Sequence, residues 1–231
     1  MKLQKETEKK KERKHGKWYD DACGTAFALE LVGERWSLLI VRELMFGGRR
    51  FSDLRGGLPG ISAKVLTERL ESLEQAGIVM RRQLPPPVSA QVYELTRWGY
   101  AADDAIMTLG RWAATSPNHD PTLPLSPASF MLSLRTMFDA ERAGMLATEA
   151  GIAIGKERFA ARVGDGKLHA ERGEETSSAF VFAAPVASLI AAVVYGKVPF
   201  EALGEAGFEF TGDRAAASRF IDCFNLPEKI A

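Results

Sequence analysis

Leu66, Leu70 and Leu73 recur at i, i+4 and i+7 between Gly60 and Gly77, which predicts one short helix with a single buried stripe. Ser62 is placed to cap its start. Gly77 is placed to end it, because glycine enters the left-handed region without a Cβ penalty. At about 100° per residue, Lys64, Thr67, Glu68, Glu71 and Gln75 fall on the opposite face. Upstream, residues 20–46 carry a helical rhythm broken at Gly33. Ala22, Ala26, Leu29 and Val32 stand in its first piece, and Trp36, Leu39, Ile40 and Leu44 in its second. After Gly47-Gly48, a short helix starts at Phe51-Ser52-Asp53-Leu54, and Gly56, Gly57, Pro59 and Gly60 make a turn. Two short helices so joined form a helix-turn-helix. Downstream, residues 78–84 and 91–95 read as strands around a proline tip. Thr96 reads as the cap of a helix running to about Ala114. Together these elements describe a winged helix-turn-helix with the ribbon as its wing.

The rhythm then changes. Residues 116–127 contain Pro117, Pro121, Pro124 and Pro127 and read as a linker. Residues 128–146 look helical, with Met131, Leu134, Phe138 and Met145 on or near one side. Residues 151–154, 158–163, 167–172 and 179–184 alternate as short strands, and Asp165-Gly166 is a hairpin turn. This predicts an antiparallel meander with one buried face. Pro185 opens a helix that is apolar nearly all round. Phe208-Glu209-Phe210 is a further strand, and Gly212-Asp213 leads into a last helix bearing Ala217, Phe220, Ile221 and Phe224. The expected fold class is therefore a mainly α winged helix-turn-helix domain, residues 20–115, followed by a separate α+β domain with an antiparallel sheet, residues 128–231. A basic tail, residues 1–19, precedes them.

Composition narrows the function. The chain has 231 residues, 46% of them hydrophobic, and reads as a soluble globular protein. No apolar run reaches the ~18 residues of a membrane span, and the charged N-terminus lacks the apolar core of a signal peptide. Cys23 and Cys223 suggest no disulfide framework, so a reducing cytoplasm is the expected location. The net charge of zero conceals an asymmetry. Residues 1–115 hold 19 Lys and Arg against 15 Asp and Glu, and residues 116–231 hold 11 against 15. The basic half favours a polyanionic partner, although eight of its cations lie in the first 17 residues. That tail reads either as a solvated segment or as an arm for a DNA minor groove. His15, His119 and His169 have no neighbouring nucleophile or metal-ligand spacing, and no phosphate-cradling glycine loop occurs. No catalytic residue, metal site or cofactor is expected.

The segments ALELVGERWSLLIVRELMFGGRRFSDL, LPGISAKVLTERLESLEQAGIV and VYELTRWG, in that order, resemble the HxlR-type winged-helix transcriptional regulators. The resemblance covers residues 20–115. It implies a homodimer on double-stranded operator DNA, with dimer contacts from the first and last helices. Ala22, Ala26, Leu29, Trp98, Ile106, Leu109 and Trp112 are the residues expected there. A recognition helix reads bases with its N-terminal residues, so Ser62, Lys64, Thr67 and Glu68 are the base-reading candidates. Lys64 can donate to guanine, Thr67 can meet a base edge or thymine methyl, and Glu68 can accept from cytosine. Arg49, Arg50, Arg55, Arg81 and Arg82 are the phosphate candidates, with Arg50 and Arg81 matching basic positions of the family pattern. Arg69 lies beside the leucine stripe and is expected to pair with a carboxylate. Wings of the family often carry a basic residue just after the prolines. Ser89-Ala90-Gln91 stand there instead, which predicts a weak wing contact or one through Ser89 and Gln91. Many family members carry a cysteine near Cys23, and in some it senses oxidants. Here Asp20 and Asp21 are expected to raise its pKa, and a buried apolar thiol is the simpler expectation.

The stretch APVASLIAAVVYGKVPFEALGEAGFEFTGDRAAASRFIDCFNLP looks like the C-terminal part of a sterol-carrier-protein type 2-like domain. That resemblance implies an apolar cavity lined by Phe159, Phe180, Phe182, Leu189, Val193, Phe208 and Phe210. The same residues would equally close an ordinary core. Three functions are compatible with this pattern: a DNA-binding regulator responsive to a small apolar ligand, a lipid or apolar-molecule carrier, and a regulator whose C-terminal half serves only dimerisation.

Overall fold

The computed structural model describes residues 19–86, 89–173 and 178–230. The basic segment at the N-terminus, apart from Tyr19, lies outside the described residues, as do Pro87 and Val88 of the wing tip. The first half runs α1 (Gly24–Val32), α2 (Ser37–Leu44), α3 (Phe51–Gly57), α4 (Ala63–Gln75), β1 (Val79–Gln83), β2 (Gln91–Leu95), α5 (Arg97–Tyr100) and α6 (Asp103–Ala114). α4 closes as its ends predict. Ser62 accepts from the Val65 N–H at 3.2 Å, and Gly77 takes φ +74°. The N–H groups of Gly77 and Ile78 reach back to the carbonyls of Glu74 and Leu73 at 3.0 and 2.9 Å. This pair of bonds satisfies carbonyls that the helix end would otherwise leave free. β1 and β2 pair antiparallel from Val79↔Leu95 to Gln83↔Gln91, and Arg49 adds an isolated antiparallel bridge to Tyr93.

The helix expected from Thr96 to Ala114 is broken. Thr96 caps only α5, accepting from the Gly99 N–H at 3.1 Å. A new helix then starts at Asp103, whose carboxylate, with that of Asp104, lies in the positive first turn of α6. Apolar periodicity runs through this joint and hides it.

The second half runs α7 (Pro127–Met137), α8 (Ala140–Ala143), β3 (Thr148–Ile154), β4 (Glu157–Gly164), β5 (Lys167–Arg172), β6 (Phe180–Ala184), α9 (Ala187–Val194), β7 (Glu209–Gly212) and α10 (Arg214–Asp222). The single helix expected over 128–146 is two. Phe138 turns extended to bridge Phe224, the Asp139 N–H donates to the Cys223 carbonyl, and the Asp139 carboxylate caps α8. Met145, expected on the buried side, is 99% exposed. Asp165 and Gly166 take φ +50° and +65° in the β4–β5 turn, both in the left-handed region that a two-residue hairpin demands.

The expected meander is corrected at its fourth strand. The order is β5-β4-β3-β6-β7, and β6 pairs parallel to β3 rather than antiparallel to β5. Burial explains the choice. β5 exposes Lys167, His169 and Glu171 and makes an edge, whereas Phe180 and Phe182 of β6 are buried and take an inner place. The sheet is mixed in consequence.

The two halves meet across a buried seam. α7 packs on α2 and α6, and Phe46 meets Phe159 edge to face at 5.8 Å. Residues 116–125 hold turns and no helix or strand. The far end of the chain returns to them. Lys229 Nζ donates to the carbonyls of Ala114 and His119, and the Ile230 N–H donates to the Thr115 carbonyl at 2.8 Å.

Candidate nucleic-acid interface

Leu66, Leu70 and Leu73 are fully buried and seat α4 on the core. That leaves its N-terminal face in water. The Lys64 side chain is 86% exposed and lies 3.9 Å from Glu68, one turn on. An exposed pair of this kind contributes only a few tenths of a kcal/mol, about 0.3–0.5, so Lys64 is free to exchange Glu68 for a base or phosphate, and Glu68 to exchange Lys64 for a base donor. Thr67 is exposed, and its hydroxyl donates to the Ala63 carbonyl at 3.0 Å, leaving lone pairs and a methyl outward. Ser62 spends its oxygen on the cap. Arg69, expected beside the stripe, pairs with Glu34 at 3.4 Å and ties α4 to the loop before α2.

The five arginines expected on phosphates divide sharply. Arg50 and Arg55 are exposed at the two ends of α3 and make no ion pair among the described residues. Arg81 pairs with Glu74 at 3.0 Å and lies over the Tyr93 ring, and Arg82 pairs with Glu94 at 2.7 Å. Both remain on the surface of the wing. Arg49 is directed elsewhere. Its side chain is 12% exposed, and Nη2 donates to Glu157 Oε1 at 2.7 Å. That carboxylate belongs to β4.

α1, α5 and α6 expose an apolar face. Leu29, Trp98, Leu109 and Trp112 are exposed, Trp112 to 69%. Between these helices runs a groove of about 540 Å³ whose lining includes Leu29, Val32, Ile78, Trp98, Ile106 and Leu109. Ile106 is half-buried within that lining, Ala26 is half-buried on α1, and Ala22 is exposed. A contiguous apolar face of this kind marks an interaction surface more often than bare solvent contact.

Cys23 departs from expectation. It is exposed, at the position preceding α1. The backbone N–H groups of Ala26 and Thr25, then the Thr25 hydroxyl, hold its thiol below the ordinary value, without closing a side-chain cap hydrogen bond. Orphan N–H groups at a helix start favour the thiolate. The charges of Asp20 and Asp21 do not dominate, because an exposed site screens them.

The residues expected to line a cavity meet as packed rings. Phe180 and Phe182 lie 5.0 Å apart, Phe180 and Phe220 5.5 Å, and Phe182 and Phe208 5.8 Å. Phe159 and Val193 are buried, and Leu189 and Phe210 half-buried.

Several polar groups had no sequence signal because their partners are remote. Glu43, 2% exposed, accepts from Arg42 at 2.8 Å and from Ser126 at 2.6 Å. Arg135 pairs with Asp103 across α7 and α6. Arg172 pairs with Glu157 and donates to the Phe46 carbonyl. No group of three or more His, Cys, Asp or Glu among the described residues is arranged to hold a metal. No helix of the described residues is long and apolar enough to cross a membrane.

Known proteins share the first half. The HTH-type transcriptional regulator YodB of Bacillus subtilis is 41% identical over 86 residues, 37% of this chain and 77% of that protein. The HTH-type transcriptional regulator YtfH of Escherichia coli is 34% identical over 99 residues, 43% of this chain and 79% of that protein. The solved reduced form of YodB aligns at 37% identity with a TM-score of 0.39, covering 42% of this chain and 98% of that one. With residues 31–120 matching the HxlR-like helix-turn-helix, the chain belongs to the HxlR family of regulators.

Proposed function

We propose that this protein is a dimeric, sequence-specific DNA-binding regulator that reads a palindromic operator through the N-terminal half of α4. The observation that carries the reading is the division of α4 itself. Three fully buried leucines hold it, and Lys64, Thr67 and Glu68 stand exposed. Arg50, Arg55, Arg81 and Arg82 flank it as phosphate contacts, which fix register without reading sequence. The exposed face of α1, α5 and α6 is the surface on which a second copy docks. A dimer places two recognition helices on half-sites about one helical turn apart, roughly 34–36 Å. Enrichment of duplexes from a randomised pool tests this directly. An inverted repeat with half-sites at that spacing is expected, and enrichment of no sequence would overturn it.

The C-terminal half, similar in sequence pattern to a sterol-carrier-type domain, is assigned a bracing role. Its clustered phenylalanine rings and its seam with α2 and α6 support that over an open ligand cavity. Organic extraction of the purified protein followed by mass spectrometry is expected to release no stoichiometric apolar molecule. A second reading, a thiol-responsive regulator, is favoured by one observation, the exposed Cys23 with its lowered pKa. Operator binding before and after oxidant treatment, compared with Cys23→Ser, tests it.

A further inference from the structure

Gly47-Gly48 links the end of α2 to the Arg49 bridge at the root of the wing, and Gly47 takes φ +102°. Such a link does not fix direction by itself, since glycine populates both signs of φ. The next residues of the chain belong to the reading surface. Arg49 exchanges both backbone hydrogen bonds with Tyr93 of β2 at 2.8 Å, and Arg50 is the residue that precedes α3. The direction of this segment therefore sets the wing and α3 together.

Both ends of the glycine link are tied to the same place in the C-terminal sheet. Glu157 Oε1 accepts from Arg49, just after the link, and Oε2 accepts from Arg172 of β5. Arg172 Nε donates to the carbonyl of Phe46, just before the link, at 3.3 Å. The Arg172 guanidinium lies 4.7 Å over the Phe159 ring, and Phe159 meets Phe46 edge to face. One carboxylate thus gathers two arginines from the two halves of the chain. Burial and the neighbouring Arg49 charge push Arg172 down to about 10. The two guanidiniums repel one another, and Glu157 stands between them as the carboxylate that both contact, while the charges of Glu43 and Asp53 also favour Arg172.

We infer that Glu157 is a positioning residue for DNA recognition, holding the wing root and the start of α3 in their reading orientation from the C-terminal sheet. It acts without touching DNA. Arg49 likewise acts by placement and not as a phosphate contact. The inference rests on the regulator reading above.

The test uses the full-length protein and the duplex enriched on the wild type. Glu157→Ala and Glu157→Gln are compared with wild type by dissociation constant, by active fraction from stoichiometric titration, and by the slope of affinity against salt. Coupling between remote sites commonly amounts to about 5-fold or more in affinity. Glu157→Ala is expected to bind at least that much more weakly per active molecule, with an unchanged salt slope. Glu157→Gln, which still accepts a hydrogen bond through its amide oxygen, is expected to fall between. Should Glu157→Ala lack a folded fraction, Glu157→Gln carries the same comparison. Variants that bind like wild type overturn the inference and leave the regulator reading intact. Tighter binding with a steeper slope also overturns it, because Arg49 would then be a phosphate contact withheld by Glu157. A wild type that enriches no duplex overturns the regulator reading and this inference with it.

Discussion

The Ser126 hydroxyl donates to Glu43 Oε1 at 2.6 Å while accepting from the Ser129 N–H at 3.0 Å. One side chain therefore caps α7 and satisfies a buried carboxylate of α2, 83 residues earlier. Ser126→Ala is expected to lose the cap, about 1 kcal/mol, and to leave Glu43 Oε1 with Arg42 as its remaining donor. Glu43→Ala is expected to cost more, about 3 kcal/mol, because Arg42 and Ser126 both lose a charged partner. Gly57→Ala belongs to the same test, since a Cβ there would stand 2.6 Å from Glu43 Oε2. Urea unfolding of the three variants measures these costs. Losses within error of zero would show that the seam does not hold the halves together.

Trp112 and Leu109 stand exposed on the face assigned to a second copy. Trp112→Asp or Leu109→Lys is expected to shift the protein from dimer to monomer and to weaken operator binding. Light scattering reads the first effect and titration the second. A variant that stays dimeric would move the interface elsewhere.

The two thiols are set oppositely. Cys23 is exposed and lowered by N–H groups at the start of α1. Cys223 is buried, donates to the Arg219 carbonyl at 3.2 Å, and is pushed up to about 11, first by burial and then by the charges of Asp222 and Asp139. Iodoacetamide at neutral pH is expected to modify Cys23 well before Cys223 in the folded protein. Equal rates, read by mass spectrometry, would contradict this.

Cys223 also predicts an alkaline loss of stability. The unfolded thiol gives up its proton near its ordinary value of 9.0, whereas the folded thiol keeps it to about 11. Between these the unfolded state holds fewer protons, so stability falls as pH rises through the window. Below it the contribution is complete. Cys223→Ala should flatten that part of the curve. Tyr195, also raised by burial, acts in the same direction and is unaffected by the substitution.

How much of this could be read from the chain depended on range. Ser62, Gly77 and the leucines between them state α4 within one stretch of chain, and Asp165-Gly166 states a turn in two residues. These local signals match the structure. Helix breaks at Ala102 and Phe138 are hidden because apolar spacing continues through them, and the acidic residues beside them, Asp103 in the first turn of α6 and Asp139 capping α8, read equally as surface residues. The place of β6 depends on which strand is buried on both faces, and alternation along one strand does not order strands in a sheet. Arg49 shows the limit most clearly. Its position beside Arg50 suggests a phosphate contact, and its partner Glu157 lies 108 residues away. Cys23 fails for a different reason: neighbouring charges were legible, but the orphan N–H groups of a helix start exist only once the helix forms.

Base preference over the enriched operator, measured for Lys64→Ala and Thr67→Ala beside Arg50→Ala, tests whether α4 reads the bases. Loss of a base contact by Lys64 or Thr67 is expected to relax preference at one position per half-site, by roughly 1–3 kcal/mol for a bidentate contact and less for a single bond. Arg50→Ala is expected to weaken all sequences alike and to reduce the salt slope by about one unit of phosphate charge. Unchanged base preference in both α4 variants, with operator binding intact, would contradict the assignment of α4 as the reading helix.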